Sequence, residues 1–407
     1  MRPRTHVAIL VAVAAATTIA LWATRGWTLI GVPHFDPELE PFSDAFVVLW
    51  GPEQCAIGNG EWVGPVCFVP SVAAEAHAQS YEPWFAFHRL GLASAHVLPV
   101  AAAMIGLFYL AIAMTLRPAT LGQTLLGLLL LATPAVQLAV ERANFDLLIA
   151  ALVCLAARML ATRRPNDAVV GCLVLAVATM LKLYTGLAVA LAWLIARPRR
   201  WTTFIAAAGA SALALGVLGP ETIVALNRGA PEGATRFSIG AHWLFRHRGD
   251  AAAWATIAAA LAACGIALAR LRAVAAPRFE RWPRRTAAFA VAFLVAVPLF
   301  FVKDSYDYRL VLWLPCLALP FAWLHGDVDA RWRRLAAATL VLYLVVAGTE
   351  LPCALLDRFA SAGAAGWADA AVAALIHAKQ AAAWLLVAAL SVIFGYWLAG
   401  SLRGAAR

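Results

Sequence analysis

Four short stretches of this chain hold residues whose types and spacing suit chemistry. The first is HFDPELEPFSD, residues 34–44, which gathers Asp36, Glu38, Glu40 and Asp44. The second, VERANFDLL, sets Glu141, Arg142, Asn144 and Asp146 into apolar sequence. The third is MLKLYTG, where Lys182 stands among apolar neighbours with Tyr184 two residues on. The fourth is VKDSYDYRLVLWLP, with Lys303, Asp304, Asp307 and Arg309. A carboxylate can take the proton of an attacking hydroxyl. Lys offers a compact point charge and Arg a planar fork, and both bind phosphate oxygens. A carboxylate-rich loop together with isolated cations suits a lipid-phosphate ligand with an acid–base residue beside it. Each stretch also has a plainer reading: a solvated acidic loop, a helix-end ion pair, a lysine snorkelling to an interface. Within the second, Arg142 and Asp146 stand at i, i+4, the spacing of a pair on one helix face.

The elements that must position these groups are membrane helices. The chain has 407 residues, 63% hydrophobic and 13% charged, whereas soluble domains are about half apolar. Apolar runs of bilayer-crossing length, about 17–25 residues, recur throughout. Alternating ten-residue segments of a barrel are absent, so the expected fold class is all-α and polytopic. Twelve spans are expected, near 6–24, 92–116, 119–140, 144–161, 168–182, 184–196, 201–219, 251–270, 286–302, 308–325, 335–355 and 380–400. The pair within 168–196 is short and flanks Lys182 and Tyr184, which marks a broken or re-entrant helix. The first run follows MRPR, exceeds the usual h-region of about 7–15 residues and is not followed by a convincing A-x-A cleavage site, so it reads as a retained signal anchor.

Charge sets the expected orientation. With the N-terminus in the cytoplasm, the inside segments carry nineteen arginines against the four acids Asp167, Glu280, Asp327 and Asp329, as the positive-inside rule requires. The net charge of +10 would suggest nucleic acid in a soluble protein. Topology accounts for it here, so membrane lipids are expected partners and nucleic acid is not. The chain reads as one integral-membrane domain, 1–407, with large outer loops at 25–91 and 220–250 and a smaller one at 356–379. Ala- and Arg-heavy composition suits a GC-rich bacterial genome, and hence a bacterial inner membrane.

Loop 25–91 holds eight acids against Arg25 and Arg89, together with Trp27, Trp50, Trp62 and Trp84. Trp favours the membrane interface, so parts of the loop are expected along the outer leaflet. The spacing of Cys55 and Cys67 permits a disulfide in an oxidising compartment without requiring one. His77, His88 and His96 are too scattered for a metal motif. No metal and no cofactor are therefore expected, and a divalent cation has no residue pattern in its favour.

These motifs, in this order, resemble those of C-type integral-membrane glycosyltransferases, in particular glycosyltransferase family 87. The likeness covers most of the chain and rests on FSDAF in the first outer loop, the Tyr-x-Pro element YEPWF with Tyr81, ERANFDLL, MLKLYTG and DYRLVLWLP. The resemblance implies transfer of a sugar, by default mannose, from a polyprenyl-phosphate donor to a lipid or glycan acceptor on the extracytoplasmic side. It implies an inverting displacement with an outer-loop Asp as catalytic base: Asp44 is the best match and Asp36 the second. Lys182 and Arg309 are then candidates for the donor phosphate, with Arg142 third. Asn144, Asp146, Tyr184, Lys303 and Tyr81 complete the expected binding set. Two positions depart from the pattern: Thr185 follows Lys-Leu-Tyr where Pro is common, and Glu82 stands inside the Tyr-x-Pro element.

Two other classes compete. A transporter or flippase of lipid-linked saccharide would use as many spans, but more often places its ionisable groups on broken helices at mid-membrane. An O-antigen ligase or polymerase would rely on outer-loop Arg and His, for which His242 and His247 in AHWLFRHRGD are available.

Overall fold

The computed structural model describes residues 3–24, 26–27, 32, 42–63, 65–70, 77–80, 82–162, 164–195, 200–229, 238–272, 276–302, 305–360 and 365–403. The chain is a helical, polytopic membrane protein. Among the described residues, seven helices are long and apolar enough to cross a membrane. An eighth forms if Leu121–Leu131 and Pro134–Glu141, bent by 60°, make one span. The other expected segments are interrupted. Asp146–Leu160 has 15 residues, and the apolar helix at Asn166–Leu181 is also short. The region near 308–325 is a 3₁₀ stretch, Asp307–Leu317, followed by the six-residue helix Ala318–Trp323.

The chain gathers into two compact units. The first comprises Met1–Pro33, Ile112–Leu138 and Gly233–Arg407. Its core is aromatic: Trp313, Trp323, Trp332, Tyr343 and Phe300 are fully buried. Rings meet edge-on at Phe300–Trp384 (4.9 Å) and Trp332–Tyr396 (4.9 Å), and stack at Phe293–Phe394 (4.1 Å). Such offset and edge contacts suit the ring quadrupoles. The long helices Ala241–Arg272 and Ala330–Gly348 both pack on Ala365–Arg403. A two-residue ribbon pairs Ser238 with Tyr306 and Ile239 with Ser305.

The second unit comprises His34–Ala111 and Ala139–Glu232. Three helices, Asp146–Leu160, Pro165–Leu181 and Arg200–Gly229, lie side by side. The last is kinked at Gly219, whose φ of 69° is open to glycine, just before Pro220. Much of segment 25–91, expected as a loop, is helix and strand. The helix Ser43–Ala56 leads into an antiparallel sheet of Glu61–Val63, Val66–Pro70 and His77–Ser80, followed by the helix Glu82–Arg89. Cys55, at the end of the first helix, forms a disulfide with Cys67 on the middle strand. Both cysteines are buried with Val69 under Val47, Trp50 and Phe85. The Ser94 hydroxyl donates to Glu53 Oε2 at 2.9 Å, tying the end of this region back to the first helix.

The short segments after Pro165 interrupt the expected pair of spans at the lysine. The helix Pro165–Leu181 stops because Lys182 adopts an extended conformation (φ −149°, ψ 116°). A 3₁₀ turn, Leu183–Thr185, the helix Gly186–Ala190 and a second 3₁₀ turn, Ala192–Leu194, follow. Thr185 is fully buried, and its hydroxyl lies 2.9 Å from that of Thr179.

Candidate functional site

The site is assembled in the second unit by one tight turn. The helix Pro134–Glu141 ends in a Schellman arrangement. Asn144 N–H donates to the Ala139 carbonyl at 2.9 Å and Ala143 N–H to the Val140 carbonyl at 3.0 Å. Ala143 takes the left-handed conformation this cap demands, φ 43°, although it is not glycine. The chain then restarts as a helix at Asp146, and Asn144 Oδ1 accepts the Asp146 N–H at 2.8 Å. Arg142 and Asp146 therefore do not share a helix face, and the pairing expected from their i, i+4 spacing is not made. A left-handed residue between them separates the two helices.

Arg142 instead meets Asp44. Phe42, itself left-handed at φ 76°, donates its N–H to the Glu141 carbonyl at 2.8 Å, and Asp44 N–H donates to the Arg142 carbonyl at 3.0 Å. The second bond satisfies one of the orphan donors that open the helix Ser43–Ala56. With the backbones joined, Arg142 Nη2 donates to Asp44 Oδ1 at 2.6 Å and Nε to Oδ2 at 3.0 Å. Asn144 Nδ2 adds a third bond, to Oδ2, at 2.5 Å.

The same asparagine reaches the lysine. Lys182 Nζ donates to Asn144 Oδ1 at 3.4 Å and lies 2.8 Å from Asp146 Oδ1. The Tyr184 hydroxyl also donates to Asp146 Oδ1. The sequence Arg142, Asp44, Asn144, Lys182, Asp146, Tyr184 is thus one continuous polar network with two cations and two carboxylates. Asp146 is fully buried, whereas the side chains of Asp44, Arg142 and Lys182 are 21%, 24% and 19% exposed. The network is closed at Asp146 and partly exposed at Asp44, Arg142 and Lys182. Aromatic packing holds it there: Phe145 contacts Trp84 and Phe87, and Trp84 Nε1 donates to the Leu181 carbonyl at 3.4 Å.

The donor count shows what the arrangement can do. Asp44 Oδ2 receives two donors but Oδ1 only one, so Oδ1 keeps a lone pair for an incoming hydroxyl. Of the three ammonium protons of Lys182, two point to partners among the described residues, which leaves one for an oxyanion. The isolation that the sequence suggests for both cations is not found. Each is held by a carboxylate that lies far away in sequence, Arg142 by Asp44 and Lys182 by Asp146.

Arg309 belongs to the first unit, with its guanidinium 5.9 Å from the ring of Tyr308. Asp36, Tyr81 and Lys303 lie outside the described residues. So do the side chains of His242 and His247, whose backbones fall in the helix Ala241–Arg272. Among the described residues, no three His, Cys, Asp or Glu side chains are grouped so as to hold a metal ion.

The structure adds a second ionic cluster. In the first unit Lys379 donates to Asp307 and, at 3.2 Å, to Glu350, and all three side chains are almost entirely buried. The expected topology sets Lys379 in an outer loop and Glu350 in a span, so it does not join them. One signal is available in the sequence: Glu350 is a lone acid at the end of a long apolar run, and an acid at that depth needs a cation. Lys is also scarce in this chain, at Lys182, Lys303 and Lys379 only, and two of those three are paired with buried carboxylates. No family model, curated protein or solved structure matches the chain.

Proposed function

We propose that this protein is a membrane glycosyltransferase of the C type, with about twelve spans in that architecture. It transfers a sugar, by default mannose, from a polyprenyl-phosphate donor to a lipid or glycan acceptor. On this reading it sits in a bacterial inner membrane with its N-terminus cytoplasmic and its site extracytoplasmic. One observation carries the proposal. Asp44 and Lys182 lie a single asparagine side chain apart, each with hydrogen-bonding capacity to spare. They come from FSDAF and MLKLYTG, and the bridging Asn144 comes from ERANFDLL.

In the proposed reaction Asp44 Oδ1 takes the proton of the acceptor hydroxyl as its oxygen attacks the anomeric carbon. The bond from that carbon to the phosphate oxygen breaks, its electron pair leaves with the polyprenyl phosphate, and the anomeric centre inverts. Lys182 meets the charge gathering on the leaving phosphate. Arg142 and Asn144 fix the Asp44 carboxylate in orientation, and Asp146 with Tyr184 fixes the ammonium.

The test uses membranes containing the protein and radiolabelled polyprenyl-phosphate mannose, with wild type beside Asp44→Asn. Label should pass to a new product with wild type and not with the variant. Equal transfer by both would remove Asp44 as base and leave Asp36 next. A second reading has one feature in its favour: the interrupted helix around Lys182 is of the kind transporters use to form a midplane site. Movement of the intact lipid-linked sugar across the bilayer, without transfer, would decide for it.

A further inference from the structure

The helices Ala241–Arg272 and Ala330–Gly348 lean on Ala365–Arg403 and leave between them a groove of about 710 Å³. Arg270, Arg331 and Arg334 line it together with Ile266, Leu271, Leu335 and intervening alanines, and among the described residues no acid is in the lining. Tyr396 of the third helix touches both walls. Its hydroxyl donates to the Leu268 carbonyl at 3.4 Å, and its ring meets Trp332 edge-on. Arg331 Nη1 donates to the Arg270 carbonyl at 2.8 Å, which holds one guanidinium against the end of the opposite wall.

The charge lies at one level. The span Ala253–Leu271 ends, and the span Ala330–Phe359 begins, at these arginines. They stand where a transmembrane helix meets the lipid phosphates, while Ala263 lies about 10 Å further along the helix toward the hydrocarbon. Ile266 is 56% exposed within that apolar stretch. A soluble anion would use the arginines and have no need of the apolar length. A zwitterionic head group would bring a cation toward three guanidinium groups with no carboxylate in the described lining to receive it. Basic pockets between membrane helices suit anionic head groups, and the planar guanidinium fork matches a phosphodiester.

We infer that this groove holds one anionic phospholipid, its phosphate on Arg270, Arg331 and Arg334 and an acyl chain along Ile266 and Leu335. The inference rests on the first unit alone and stands whatever reaction the second unit performs.

Native mass spectrometry of the full-length protein in detergent tests it, with phosphatidylglycerol or phosphatidylcholine as the added lipid. Three proteins are compared: wild type, Arg270→Gln with Arg334→Gln, and Leu335→Trp, which narrows the apolar part while keeping every charge. Arg331 is retained because it secures the Arg270 carbonyl. Wild type should retain phosphatidylglycerol at least about tenfold over phosphatidylcholine. Each variant should lose about tenfold in occupancy, and millimolar inorganic phosphate should displace nothing. Equal retention of the two lipids, or unchanged occupancy in either variant, would overturn the assignment. Displacement by inorganic phosphate would make this a free-anion site instead. Should the double arginine variant fail to fold, Leu335→Trp and the wild-type lipid comparison still decide.

Discussion

Asp44 and Arg142, 98 residues apart, are joined by two parallel side-chain hydrogen bonds and by a backbone bond from the same aspartate to the same arginine. The side-chain geometry alone would make this a two-armed ion pair. The backbone bond adds something else, because it prevents the carboxylate from swinging away when a ligand competes for the guanidinium. A base has to be held where the reacting hydroxyl will arrive, and a doubly anchored residue meets that need.

Asp44→Asn keeps the shape of the side chain but removes its basicity, so sugar transfer should fall by about 10²–10⁴-fold, the usual contribution of a general base. Arg142→Lys should be milder, because the charge remains while the fork is lost. Measured in the same labelled-donor assay, Arg142→Lys should retain more activity than Asp44→Asn. The reverse order would mean that Arg142 meets the donor and Asp44 only holds it.

Asp146 and Lys182 make a sterner test of structure. Removing the lysine by Lys182→Met takes the ammonium away from a fully buried carboxylate, and breaking a buried pair of this kind costs about 3–5 kcal/mol. Adding Asp146→Asn removes the buried negative charge, so the double variant should unfold at a higher temperature in detergent than Lys182→Met alone. Two losses that simply add would show that the pair is not coupled in the folded protein.

Of the four stretches, three supply the described network, through Asp44, through Arg142, Asn144 and Asp146, and through Lys182 and Tyr184, and the interruption at Lys182 was legible from the two short apolar runs that flank it. The partners of these residues were not legible. The expected Arg142–Asp146 pair fails because Ala143 adopts a left-handed conformation, and sequence usually announces that conformation with Gly or Asn. Long-range pairs such as Asp44 with Arg142, or Lys379 with Glu350, have no local periodicity to reveal them. The three-stranded sheet within 61–80 was missed for a related reason. Strands such as Glu61–Val63 are shorter than any alternation pattern can register. Helical class and membrane character were plain from composition, since they depend on hydrophobic runs rather than on particular contacts.

The disulfide gives a prediction that is independent of catalysis. Cys55 and Cys67 are 12 residues apart, and closing a loop of that order stabilises a fold by about 3 kcal/mol in the chain-entropy account. Cys55→Ser should therefore lower the unfolding temperature in detergent, and reductant should lower that of wild type equally. Thiol labelling of the denatured chain should find five reactive cysteines before reduction and all seven after it. Seven without reduction would mean that the bridge is not formed.

Gly171 links packing to the site at a distance. A Cβ at this position would lie 3.1 Å from both the Ala156 carbonyl oxygen and Leu160 Cγ, so the helices Asp146–Leu160 and Pro165–Leu181 are in close contact there. Asp146 opens the first of these helices and Lys182 follows the end of the second. Gly171→Ala asks the neighbours to give by a few tenths of an ångström, whereas Gly171→Leu must push the helices apart. The leucine variant should lose stability by about 1–3 kcal/mol. It should also weaken the Lys182–Asp146 pair, so that adding Lys182→Met costs less than it does in wild type. Gly171→Ala should leave that cost nearly unchanged. Thermal unfolding of the two glycine variants, each with and without Lys182→Met, measures both quantities. If Lys182→Met costs as much in the Gly171→Leu background as in wild type, the helix crossing does not position the network.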